Sequence, residues 1–312
     1  MLILGWIAYI AFHGWSVPVM EEYRTYYLCI TLFSILPLAY LRCHRLLTRR
    51  SMENGLLLTA IIQLLYIGGQ AIGLTESGNT CFSITGANEN PTVTAVYLTG
   101  CMPLLARRIL TERHPDFYVL LAVFSLIAIV ILKCRTAYIG LCFEAVTGAV
   151  VYFKSKHYCN LSPYKHLIIP AFLVLTLFAS VKLYNMKQDS ADGRLLIWKI
   201  AARMIIDKPQ GYGYGLFEKY YNLQQADHFR STDATARERQ TATFTGMAYN
   251  DYLEQGVKGG IPGLLFLVGF YSLSVAKALH RHDTQTACVS GAFAVMSLTN
   301  FIYSSFGFRM NW

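Results

Sequence analysis

Apolar runs of helix length recur along most of the chain, and polar residues gather in short clusters between them. The runs predict helices near 2–12, 26–41, 55–75, 92–106, 117–133, 137–153, 164–184, 261–279 and 285–303. Most approach the roughly 20 apolar residues that a helix needs to cross a bilayer. They are unbroken rather than alternating. That excludes an outer-membrane barrel, whose strands point residues alternately to lipid and lumen. The first run is short for a span. It has no basic leader and no small-residue cleavage site, so it makes a poor signal peptide and reads as the tail of a longer helix. The expected fold class is all-α, a polytopic transmembrane helical bundle of about nine spans with one long extracytoplasmic loop domain. The expected domains are 1–184 with spans one to seven, 185–260 as the loop domain, and 261–312 with spans eight and nine and the outer C-terminal end.

Composition sharpens this. Hydrophobic residues make up 54% of the chain and charged residues 14%, against roughly a quarter charged in soluble proteins. A soluble enzyme, a disordered chain and a disulfide scaffold are excluded. The 8 cysteines contain no CxxC pair, so neither a zinc ribbon nor a thioredoxin-type site is indicated. The net charge of +9 has a topological cause rather than a nucleic-acid partner. One set of alternate loops carries Arg42, Arg45, Arg49, Arg50, Arg107, Arg108, Arg113, Lys154, Lys156, Lys165, Lys277 and Arg281. The opposite short segments carry only Arg24, Lys133, Arg135 and Arg309. By the positive-inside rule the first set is cytoplasmic. Residues 13–25, 76–91, 134–136, 185–260 and the end at Phe306–Trp312 are then outside.

Residues 185–260 form the one long polar stretch, and a loop of that length implies structure or function. Asp189, Ser190, Asp192 and Gly193 suit a helix start. The helix from Arg194 to Ile206 alternates Arg194, Trp198, Lys199 and Arg203 with apolar residues, as an amphipathic helix in the membrane interface does. On this reading Arg194 stands in its first turn, where a cation opposes the helix dipole and favours an anionic partner. Pro209 ends the helix. Gly211-Tyr-Gly-Tyr-Gly215 has the wrong spacing for a dinucleotide fingerprint and reads as a tight turn. Residues 222–245 are polar and read as a mobile loop, with His228 solvated. Ala248–Glu254 then leads through Gly256, Gly259, Gly260 and Gly263 into the next span.

Several short pieces occur in an order that resembles the O-antigen ligase and polymerase family. They are Gly193-Arg194 with Trp198-Lys199, then Pro209 with Gly211–Gly215, then Tyr249-Asn-Asp-Tyr-Leu253, then Gly260-Ile-Pro-Gly263. Gly86-Ala-Asn-Glu-Asn-Pro91 is similar to the family's Asn-Pro loop, and Arg135-Thr-Ala-Tyr-Ile-Gly140 to its Arg-containing helix start. The resemblance covers roughly residues 80–303. It implies a metal-independent, inverting membrane glycosyltransferase of bacterial surface polysaccharide with no cofactor. Such an enzyme moves a glycan from a polyprenyl (undecaprenyl) diphosphate carrier to an acceptor hydroxyl, on lipid A–core for a ligase or on another glycan for a polymerase. The implied place is the bacterial inner membrane, with the active side periplasmic, membrane lipid around it and no nucleic-acid partner.

The resemblance also implies two arginines on the diphosphate, carried here by Arg135 and Arg194, and a histidine base. Tyr249 stands where many members have that histidine. The catalytic candidates are therefore Tyr249, Asp251 and Arg194, the diphosphate-binding candidates are Arg135 and Arg194, and no metal is expected. Arginine suits the task because its planar fork matches phosphate oxygens. Each residue also has a plain structural reading: Arg135 snorkelling to the interface, Arg194 meeting headgroups, Asp251 capping a helix. Lys199 and Arg203 are expected to face headgroups or water. Glu144, within an apolar run, is a site candidate or a partner inside the bundle. Tyrosine is a weak base at neutral pH, so Asp251, Glu254 or His228 takes the proton, or none is needed. Two competing readings stay open. A carrier or flippase predicts internal repeats and broken helices around a midplane site. A member that has lost catalysis is the other.

Overall fold

The computed structural model describes residues 6, 9, 10, 36–44, 47–154, 188–230 and 234–300. The expected span 164–184 and most of 2–12 and 26–41 lie outside the described residues. Within them the chain is all-helical, with no strand. The helices are α1 Leu36–Cys43, α2 Arg49–Ala71, α3 Pro91–Thr111, α4 Asp116–Ile131, α5 Arg135–Lys154, α6 Gln188–Asp207, α7 Phe217–Arg230, α8 Ala236–Thr241, α9 Asp251–His280 and α10 Thr284–Met296. Among the described residues α2, α3 and α9 are long and apolar enough to cross a membrane, and α4 is a shorter apolar helix.

The chain divides into two compact units. One takes Thr48–Met186 with Ser274–Met296. The other takes Met1–Leu47, Lys187–Leu273 and Ser297–Trp312. The stretch expected as a separate loop domain thus shares its unit with the first part of α9.

In the first of these units α2 and α3 start at a side-chain cap. Thr48 accepts the amide of Ser51 at the head of α2. Asn90 accepts the amide of Thr92 at 2.9 Å at the head of α3, where Pro91 fills a position with no amide bond to lose. Ala60, Ile67, Leu98, Cys101, Ile129, Tyr138 and Leu141 are in the core that α2, α3, α4 and α5 share. Small residues let α10 close on this core, with Gly100 against Phe293 and Gly291 against Phe143. The outer faces stay apolar. Leu58 and Leu65 of α2 are 59% and 69% exposed, and Phe117, Leu120, Phe124 and Val130 of α4 are all more than half exposed. Continuous apolar stripes of this kind suit hydrocarbon, not water.

In the second unit two expectations are corrected. The helix expected in the membrane interface begins at Gln188, and its apolar stripe is covered by protein. Leu196, Ile197, Ile200 and Met204 of α6 are buried with Tyr212, Phe217, Tyr221, Ala248 and Val257. The stretch 222–245, expected as a mobile loop, largely continues α7 and contains α8. Phe217, Tyr221, Gln225 and His228 line the buried side of α7 at helical spacing. Thr235 and Glu238 form a reciprocal capping box for α8. The polarity of the segment masked these signals, because only one residue per turn is buried.

Candidate functional site

The centre of the second unit is a break in α9. Gly260 has φ 65° and ψ −163°, inside what is otherwise a continuous helix, a conformation open essentially to glycine alone. Pro262 follows and has no amide to give. The break frees carbonyl oxygens, and the 211–215 turn supplies them with donors. The amide of Tyr212 donates to Val257 O at 2.7 Å and that of Gly213 to Lys258 O at 2.9 Å. The Ile261 amide donates back to Pro209 O at 2.9 Å. The Tyr9 hydroxyl donates to Gly259 O at 2.5 Å. A Cβ at Gly211 would strike the backbone of Gly260 and Lys258. The glycines of both motifs therefore serve one backbone junction. The freed carbonyls are filled by protein donors and offer no cradle to a solute.

This junction fixes the register of α9 and with it the turn that precedes the helix. The Asn250 side chain accepts the amides of Tyr252 and Leu253 at 3.0 and 3.1 Å. The capping role considered for Asp251 thus belongs to its neighbour. Asp251 is fully buried, and its amide donates to Ser297 O at 2.9 Å. Tyr249 carries a φ of 51°, left-handed and unfavourable for a bulky residue. The residue before it is held at both its backbone groups: Glu254 Oε2 accepts the Ala248 amide at 3.1 Å, and Trp198 Nε1 donates to Ala248 O at 3.0 Å.

Beneath the turn, Glu254 and Lys258 form an ion pair one helical turn apart, 1% and 7% exposed. Separated charges at this depth would be expensive, and the pair with its further bonds offsets that cost. Sequence reading named Glu254 but not Lys258. The signal was present as an i, i+4 Glu–Lys pair inside an apolar helix.

Arg194 comes to the same turn. Its Nη1 donates to Thr299 O at 2.9 Å, and its guanidinium carbon lies over the Tyr249 ring, 4.8 Å from the centroid. Because α6 begins at Gln188, Arg194 lies in its second turn rather than its first. The helix-terminus argument for an anion therefore does not apply to it, and its placement comes from the carbonyl and the ring. The structure thus brings Arg194, Tyr249 and Asp251 together in one unit. Arg135 is the first residue of α5, as the motif suggested, and belongs to the other unit.

The remaining candidates have other surroundings. His228 is buried, not solvated, with Nε2 at 3.3 Å from Glu238 Oε2. It sits on the packed side of α7, three residues after Gln225. Lys199 donates to the other oxygen of Glu238 at 2.7 Å, so it is tied to α8 rather than to headgroups. Arg203 is exposed, as expected. The Lys199 bond, followed by the Thr235 amide, holds the Glu238 carboxyl down at about 2. Glu144 is 8% exposed on α5, and neither carboxyl oxygen has a partner among the described residues. Among the described residues no cluster of His, Cys, Asp or Glu is arranged to hold a metal.

Fold and site together define a helical membrane protein whose polar turn is set against a broken helix. Residues 120–268 match the family model of the O-antigen ligases. The match is narrower than the resemblance read from the sequence, yet it contains Arg135, Arg194, the 211–215 turn and the Tyr249–Gly263 stretch. No curated protein and no solved structure matches the chain.

Proposed function

We propose that the protein transfers a glycan from a polyprenyl diphosphate carrier to an acceptor hydroxyl at the outer face of a bacterial cytoplasmic membrane, as a ligase onto lipid A–core. The observation that carries this is the placement of Arg194 at the Tyr249 turn inside the segment that matches the family. The acceptor oxygen attacks the anomeric carbon as the bond to the diphosphate breaks, which inverts that carbon. The acceptor hydroxyl's proton passes to water at the outer face, and the diphosphate departs as an anion. Arg194 meets the charge that grows on the diphosphate, the term that fixed donors supply most effectively. Arg135 is assigned the same ligand on the strength of the motif alone. Asp251, fully buried two residues after Tyr249, supports the turn through its amide bond to Ser297 O. Holding donor and acceptor together contributes the rest.

The experiment is deletion of the encoding gene, with surface glycans resolved on gels and carrier-linked glycans assayed beside them. Long chains that persist on the carrier and vanish from lipid A–core support a ligase. Single repeat units on the acceptor without elongation point to a polymerase. An unchanged pattern, restored by no complementation, removes the glycan-transfer reading.

A further inference from the structure

We infer that Tyr249 is a positioning residue that works through the face of its ring, holding the Arg194 guanidinium where it meets the donor's diphosphate. This rests on the reading of Arg194 as the diphosphate ligand.

The backbone supplies the first argument. Tyr249 is one of three non-glycine residues at positive φ among the described residues. Holding a tyrosine there is unfavourable. Glycine or asparagine would hold the turn more cheaply, so the turn alone does not call for a tyrosine. The surroundings supply the second argument. Glu254 and Trp198 grip Ala248 at both its backbone groups, which fixes the direction in which residue 249 departs. That direction puts the ring under the guanidinium of Arg194 at 4.8 Å, within the range of a cation–π contact. Thr299 O holds the same guanidinium at Nη1. The carbonyl and the aromatic face together orient the guanidinium. The ring is the part of this side chain that the contact uses.

Binding of undecaprenyl diphosphate, without glycan, to the purified full chain in lipid nanodiscs tests the inference. Tyr249→Asn tolerates the left-handed backbone and removes the ring, and Tyr249→Gly is a second ringless variant. Both are expected to weaken binding roughly 3- to 30-fold. Tyr249→Phe restores the ring without the hydroxyl and is expected to bind within about twofold of wild type. Arg194→Ala should bind at least as weakly as the ringless variants. The double variant Arg194→Ala/Tyr249→Asn should be no weaker than Arg194→Ala alone, because the ring acts through the arginine; a purely structural loss would add. Weakening by Tyr249→Phe equal to that by Tyr249→Asn overturns the inference, as does additivity in the double variant. Wild-type binding by both ringless variants beside an impaired Arg194→Ala overturns this inference alone. Wild-type binding by Arg194→Ala removes the diphosphate reading and this inference with it.

Discussion

Two clusters of charge in this protein are built on opposite plans. At the head of α2, Glu53 is 5% exposed and gathers three arginines: Arg49 at 2.8 Å, Arg108 at 3.0 Å, and Arg107. Arg108 also reaches Glu112 at 2.6 Å, and Arg49 reaches Asp283 at 2.8 Å. There, carboxylates tie helix ends to one another. At the turn before α9 the carboxylate of Glu254 is committed to Lys258 and to a backbone amide, and Arg194 is oriented by a carbonyl and a ring. The first cluster is a clamp in which anions hold arginines. In the second, a backbone carbonyl and an aromatic ring touch the arginine, and the buried carboxylate beneath it serves a lysine. Both look alike in composition, and what each carboxylate holds separates them.

The largest expected effect comes from breaking the buried pair. Glu254→Ala leaves Lys258 buried without its carboxylate and releases the Ala248 amide, and should destabilise the protein by about 3–5 kcal/mol. Thermal melts in detergent measure it, and adding Lys258→Met should recover part of the loss. A single variant as stable as wild type would show that the pair does not support the turn. Gly260→Ala comes next. Its φ of 65° and the approach of Pro209 O leave no room for a Cβ, so a loss of about 2–3 kcal/mol is expected in the same melts. On the clamp side, Asp283→Ala removes a partly exposed partner of Arg49 and should cost only about 0.5–1 kcal/mol.

The smallest effect is acid sensitivity. Glu238 is held at about 2 against an ordinary value of 4.5. Its folded value is depressed, so its stabilisation is complete above about 4.5 and is lost as the pH falls toward about 2. Hydrogen exchange of α8 should rise over that window, and Glu238→Gln should flatten the rise.

Much of this was legible in the sequence. Apolar runs placed α2, α3, α4, α5 and α10 to within a few residues at most of their ends, because lipid-facing helices need unbroken hydrophobicity. The α9 helix was read from 261, ten residues late. Its first turns carry Asp251, Glu254 and Lys258, charges that an apolar-run criterion excludes and that only a buried pair makes tolerable. α7 was missed for a similar reason, since its burial rests on Phe217, Tyr221, Gln225 and His228 amid polar neighbours. The basic clusters were read as topology signals, while their acidic partners Glu53, Glu112 and Asp283 passed unnoticed. Charge counting along the chain cannot see pairs 54 or 234 residues apart. The glycines were found but not their purpose, which needs the freed carbonyls of α9 and the amides of 212 and 213 on the same page.

Turnover is the most direct test of the central claim that Arg194 serves glycan transfer from a diphosphate carrier. Purified protein in proteoliposomes would receive an undecaprenyl-diphosphate-linked glycan and lipid A–core, with wild type and Arg194→Ala compared. The account predicts transfer by wild type and a fall of about 10²-fold or more in kcat for the variant, with both proteins folded. Wild-type turnover that survives Arg194→Ala unchanged would contradict it.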